Sequence, residues 1–141
     1  MRPEELKKKD GDGSDDSFSN WVALKKATDE TRAKLVADIV GHPKDAPCVK
    51  ELDYMNPSIG EDAVRNHLKE LREADIVEEL VVEPGSRVRG YPYKFYQLTD
   101  EARRLFDENG IFPEEAWKRQ YERVEKTAEI RELEEMPRPS R

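Results

Sequence analysis

Two sets of side chains in this sequence have the types and spacing to grip a polyanion. Arg65, Asn66, Lys69 and Arg72 recur at near-helical intervals, with Ser58 just ahead of them. Arg87, Arg89 and Lys94 lie between Pro84 and Leu98, a stretch with no acidic residue in a chain of net charge −7. Arg and Lys donate to phosphate oxygens, and Arg or Asn pairs two donors or acceptors with a base edge. Side chains of this kind can position a protein on nucleic acid and read it, provided rigid elements hold them.

Other chemistries find little support. His42 and His67 are 25 residues apart, and neither has a Cys or a second His at ligand spacing, so no metal is expected. Cys48 is the single cysteine, which excludes an intrachain disulfide and a Cys-x-x-Cys site; Pro47-Cys48-Val49 offers no base for a thiol sensor. His67, beside Leu68, reads as a satisfied packing histidine. Acidic pairs such as Asp15-Asp16 and Glu134-Glu135 read as solvated, and there is no glycine-rich phosphate loop. No enzyme, catalytic residue or cofactor is read here.

The elements that must position the two sets follow from periodicity. Val64, Leu68 and Leu71, at i, i+4 and i+7, make one apolar stripe. Asp62, Asn66 and Lys69 fall opposite, flanked by Arg65 and Arg72. Ser58-Ile59-Gly60-Glu61 fits a capping box at the start of this helix. Upstream, Leu35, Val36, Ile39 and Val40 predict a helix over 31–40, stopped by Gly41-His42-Pro43. A short helix over 49–55 follows, and Asn56-Pro57 breaks it. Three helices in this order form the core of a helix-turn-helix.

Downstream, Ala74-Asp75-Ile76 must turn sharply, with Asp75 tolerating the left-handed region. Residues 80–82 and 93–98 are β-rich. The intervening Pro84–Pro92 is too long for a two-residue turn and reads as an extended wing. The fold class is therefore mainly α with a small β-hairpin: a winged helix-turn-helix with accessory helices. Taken alone, the charged helix is also compatible with an ordinary solvated surface, and the wing with a flexible hairpin carrying incidental arginines.

VRNHLKELREADIVEEL resembles the recognition helix and first wing strand of ArsR-like winged-helix repressors, and YKFYQLTDEARRLFDE their second wing strand and following helix. Residues 28–109 fit that plan, and TRAKLVADIVGHPKDAPCVKELDYMNPSIGEDAVRNHL is most similar to small haloarchaeal members. The resemblance implies a dimeric transcription regulator on double-stranded DNA, and it names no effector. Asp75 stands where that family usually has Gly.

The rest of the chain reads as appendages. Residues 1–17 mix a basic with an acidic cluster, lack apolar periodicity and are expected to be a disordered tail. The DNA-binding domain is drawn at 18–109, opening on a helix over 18–27 with Trp21, Val22 and Leu24 as apolar positions; Trp21 should pack on a partner subunit or on its own core. In 110–141, Pro113 suits a first helical position, Pro137 ends the helix, and nothing between 114 and 135 interrupts about six turns. Trp117, Tyr121, Val124 and Ala128 have 4-3-4 spacing, close to a coiled-coil seam, and predict an intersubunit dimerisation helix; Ile130 and Leu133 continue it in a shifted phase. The alternative is a helix lying along its own domain.

With 35% hydrophobic and 40% charged residues the core is modest, and dimerisation would complete its burial. No apolar run suits a signal peptide or a membrane span, so a cytoplasmic protein is expected. A pI near 5.0 argues against DNA binding. Either charge is segregated across the surface, or the protein works in concentrated salt, where the Debye length is about 3 Å at 1 M. A winged-helix module that binds protein instead is the competing reading, favoured by Glu61, Asp62, Glu70 and Glu73 and disfavoured by the carboxylate-free wing.

Overall fold

The structure, a computed structural model, describes residues 19–140; the expected tail at 1–17 lies outside them. The order is α1 (Asn20–Ala27), α2 (Glu30–Gly41), α3 (Val49–Met55), α4 (Glu61–Glu73), β1 (Val77–Val81), β2 (Lys94–Leu98), α5 (Asp100–Glu108), α6 (Glu114–Arg123) and α7 (Ala128–Glu135). This is a winged helix-turn-helix, with α3 and α4 as the helix-turn-helix and β1–β2 as the wing.

Local chemistry explains most boundaries. The Asp29 carboxylate accepts from the N–H groups of Thr31 and Arg32, which caps α2. Asp75 adopts φ 58°, the left-handed turn expected of it, and lets the chain reverse directly into β1. As a result β1 begins at Val77, three residues earlier than its β-rich run. Glu78 and Glu79 look like poor strand formers, yet they pair in antiparallel register with Gln97 and Tyr96. Beyond the last paired residues, Val81 and Lys94, the Val82 N–H donates to the Tyr93 carbonyl at 2.8 Å, and a single 3-10 turn spans Pro84–Ser86. On its other edge β2 is held by the loop before α3, since the Tyr96 N–H donates to the Pro47 carbonyl at 2.9 Å.

The predicted capping box of α4 does not form. Gly60 is the N-cap at φ 86°, no side chain caps the helix, and Ser58 is exposed in the preceding turn. Glu61 reaches forward to Arg65 at 3.2 Å instead of back to Ser58. A carboxylate at the third helical position does close back at α3, where Glu51 accepts from the Cys48 N–H at 3.1 Å.

The principal core lies between α1, α2, α3, α4, α5 and the base of the wing. It includes Leu35, Ile39, Leu52, Ile76 and Phe106 together with the predicted α4 stripe Val64, Leu68 and Leu71. In α1 the inward positions are Ala23 and Ala27, both fully buried, whereas Trp21 is 68% exposed and so does not pack on its own core.

The C-terminal segment departs most from expectation. The predicted six-turn helix is two helices, because Val124 is extended (φ −70°, ψ 129°) and Thr127 begins a new helix by accepting from the Ile130 N–H. The break resolves the shifted phase of the apolar positions. The first half presents Trp117 and Tyr121 to α2, and the second turns Ile130 and Leu133 under the wing against Leu80 and Phe95. The stripe offered as an intersubunit seam is therefore spent within the chain: Tyr121 is buried, Trp117 is half-buried, and only Val124 and Ala128 face solvent.

Gly41 makes this close packing possible. A Cβ there would lie 2.6 Å from the Trp117 carbonyl oxygen and 3.0 Å from Tyr121 Cβ. It sits inside α2 as a point of close helix approach, and His42 is the C-cap. Lys118 then satisfies the end of α2, its Nζ donating to the carbonyls of Val40 and His42 and pairing with Asp45 at 2.6 Å.

Beneath this lies a buried polar knot. His42 Nδ1 accepts from the Lys44 N–H at 3.0 Å, which leaves Nε2 facing Glu51 Oε2 at 2.6 Å. Arg138 pairs with Glu51 Oε1 at 2.7 Å, donates to the carbonyls of Ala46, Leu133 and Met136, and stacks over the Phe95 ring at 4.4 Å. Burial pushes the Glu51 carboxyl up, but its hydrogen bond from His42 and the Arg138 charge outweigh that and hold it below its usual range. The satisfied packing histidine is thus His42; His67 is half-buried, with Nδ1 covered and unpartnered among the described residues.

Candidate nucleic-acid interface

On a helix, Arg65, Lys69 and Arg72 lie within roughly 60° of one another at 100° per residue. With the apolar stripe of α4 locked into the core, that arc turns toward the wing. There the structure opens a groove of about 540 Å³ whose lining includes Lys50, Arg65, Lys69, Arg72, Tyr91, Tyr93 and Lys94. Of the two sets of basic side chains, Arg65, Lys69 and Arg72 meet Lys94 across this groove, whereas Arg87 and Arg89 do not line it. Asn66 is exposed beside it on a neighbouring shallow surface with Lys69, Glu70 and Glu73.

The cations differ in what already neutralises them. Arg65 pairs with Glu61 at 3.2 Å and Asp62 at 3.5 Å, and Arg72 with Glu79 at 3.4 Å. Glu79 also accepts from the Tyr96 hydroxyl at 3.0 Å, which fixes it on the wing strand. Lys69, Arg89 and Lys94 are exposed and, among the described residues, pair with no carboxylate. Arg87 is not a free probe: its Nε donates to the Val82 carbonyl at 3.0 Å and its guanidinium lies 3.9 Å over the Tyr93 ring. The wing tip therefore offers Arg89, while Arg87 braces it.

The α4 carboxylates are also largely committed. Glu61 and Asp62 face Arg65, and Glu70 turns inward to Arg32 at 2.5 Å and Lys26 at 3.7 Å. This ties α4 to α1 and α2 and pairs Glu70, although it still borders the surface beside Asn66. Sequence reading missed Lys50 and the groove-lining tyrosines. Lys50 stands alone among polar and apolar neighbours, and only folding places it beside the α4 arc; Tyr91 reads as part of the wing loop and Tyr93 as a β-forming residue. Cys48 is buried, and burial raises its thiol to about 12, which keeps it protonated and unsuited to sensing oxidants.

A two-helix motif with an antiparallel wing and a basic groove between them defines a winged helix-turn-helix protein. No protein-family model matches the chain, and no curated protein is significantly similar to it. Among solved structures the chain is similar to a protein with a GntR superfamily winged-helix-turn-helix domain from Halomicrobium mukohataei, at 27% identity and a TM-score of 0.77 over 99% of this chain and 93% of that one. That neighbour agrees with the winged helix-turn-helix architecture and with a haloarchaeal likeness, but its superfamily is GntR and not the ArsR-like one. Among the described residues, no helix is long and apolar enough to cross a membrane.

Proposed function

We propose that this chain is a sequence-specific DNA-binding transcriptional regulator that acts as a homodimer, with α4 in the major groove and the wing on the backbone or minor groove. The observation that carries the reading is the groove itself. Five basic side chains line it, two of them meet no carboxylate among the described residues, and Arg89 extends the cationic rim at the wing tip. The carboxylates of α4 repel phosphate less than their number suggests, because Glu61, Asp62 and Glu70 sit in ion pairs. Lys69, Lys94, Arg89 and Ser58 are assigned to phosphate, Asn66 and Arg65 to base edges, and Arg72 to either once it leaves Glu79.

The competing protein-binding module rested on four α4 carboxylates. Three of them face Arg65 or Arg32, which leaves Glu73 as the exposed one without such a partner among the described residues. That weakens it. For the dimer, the 68% exposed Trp21 is the supporting observation, and α1 is the proposed contact. A two-fold pair would set its α4 helices about 34 Å apart, on successive major grooves.

Selection from random duplexes at low salt tests the reading. The wild type is expected to enrich a two-fold symmetric site, and Asn66→Ala to relax one position of each half-site by about 1–3 kcal/mol. No binding to any duplex would put the protein-binding module ahead.

A further inference from the structure

Three of the groove cations are paired, by carboxylates of two origins. Glu61, Asp62 and Glu79 belong to α4 and the wing, the elements that would read DNA. Glu129 belongs to α7, outside them, and its Oε2 lies 3.0 Å from Lys50 Nζ. One turn further along α7, Glu132 accepts from the hydroxyl of Tyr91, on the wing side of the same groove. At i and i+3 the two carboxylates share a helix face, so α7 touches both rims at once, Lys50 on α3 and Tyr91 on the wing.

The placement of α7 is firm. Ile130 and Leu133 are buried under the wing, and the Tyr54 hydroxyl on α3 donates to the Glu125 carbonyl at 2.5 Å. The ion pair itself is not firm, since both side chains are more than half exposed, and such pairs are weak and screened by salt. A rigidly presented but weakly bound carboxylate is what a phosphate oxygen could displace.

We propose that Glu129 is a built-in competitor for nucleic acid: it occupies Lys50 in the free protein, and a DNA phosphate must take its place before Lys50 contributes to binding. Glu132, through Tyr91, keeps the wing rim in register with that contact. The inference rests on the DNA-binding reading above and adds a regulator of the same groove.

The test uses the full chain, a random-sequence duplex and a salt series, comparing wild type, Glu129→Gln, Lys50→Gln and the double variant. Glu129→Gln is expected to bind roughly tenfold tighter at 0.1 M salt and to steepen log K against log salt by about 0.9 per chain, the signature of one more phosphate contact. The gain should vanish in the Lys50→Gln background. A folded Glu129→Gln protein with unchanged or weaker binding overturns the proposal. An equal gain without Lys50 also overturns it, because the effect would then be long-range charge alone. If wild type and Glu129→Gln both fail to bind duplex even at low salt, the proposal falls together with the DNA-binding reading; wild-type binding with no response to Glu129→Gln removes the proposal only.

Discussion

Two polar regions lie on either side of α3 and use their charges in opposite ways. The knot of His42, Glu51 and Arg138 is buried, and its charged groups meet partners of matching geometry. The groove between α4 and the wing is open, its ion pairs are loose, and among the described residues Lys69, Arg89 and Lys94 pair with no carboxylate. Desolvated charges tolerate no missing partner, so the knot locks the C-terminal segment to the helix-turn-helix. Hydrated, unpaired charges cost the fold little and remain available to a ligand. The difference separates what holds this molecule together from what it offers to others.

The knot should break first. Arg138→Met leaves Glu51 buried with one cationic contact fewer and is expected to cost about 4 kcal/mol in chemical denaturation. Because its partners hold Glu51 below its usual value, that stabilisation is present above the unfolded value of 4.5 and is lost as pH falls through the folded one. The gap between variant and wild type should therefore narrow in acid. An Arg138→Met protein as stable as wild type at pH 7 would mean that the knot is ornamental.

Gly41→Ala comes next. Its Cβ meets backbone of α6 and not a flexible side-chain end, so α2 and α6 must part, at about 3 kcal/mol. Thermal unfolding checks this, and an unchanged midpoint would show that α6 yields freely. Asp38 gives a gain instead of a loss. Burial raises it to about 6, against a hydrogen bond from Asn56 at 2.6 Å that lowers it. With the folded value raised, its contribution to stability is complete below 3.8 and lost as pH rises through 6. Asp38→Asn should thus stabilise by roughly 3 kcal/mol at pH 8 and by well under 1 kcal/mol at pH 4. A gain that does not vary with pH would assign the effect to something other than the charge.

The groove should respond least in stability. Lys69→Ala and Arg89→Ala are expected to shift unfolding by less than about 0.5 kcal/mol. Each should nevertheless flatten the salt dependence of duplex binding by about 0.9 per chain. If either variant unfolds as readily as Arg138→Met, the two regions are not divided as described.

Sequence alone determined the helix-turn-helix, because the stripe Val64, Leu68 and Leu71 and the run from Leu35 to Val40 encode their faces locally, at helical period. It also determined the left-handed turn at Asp75 and the basic character of the wing, both properties of a few adjacent residues. Only the tertiary structure decided the fate of the C-terminal segment. Pattern reading saw an apolar seam at Trp117 and Tyr121, but whether that seam meets another subunit or α2 depends on Gly41, some seventy-five residues earlier, leaving room for a close approach. The break at Val124 belongs to the same class: no proline or glycine marks it, and it forms because burying Tyr121 on α2 and Ile130 under the wing requires two directions. Lys50, Glu129 and Tyr91 likewise mean little apart, since long-range packing alone brings their charges and hydroxyl to the rims of one groove.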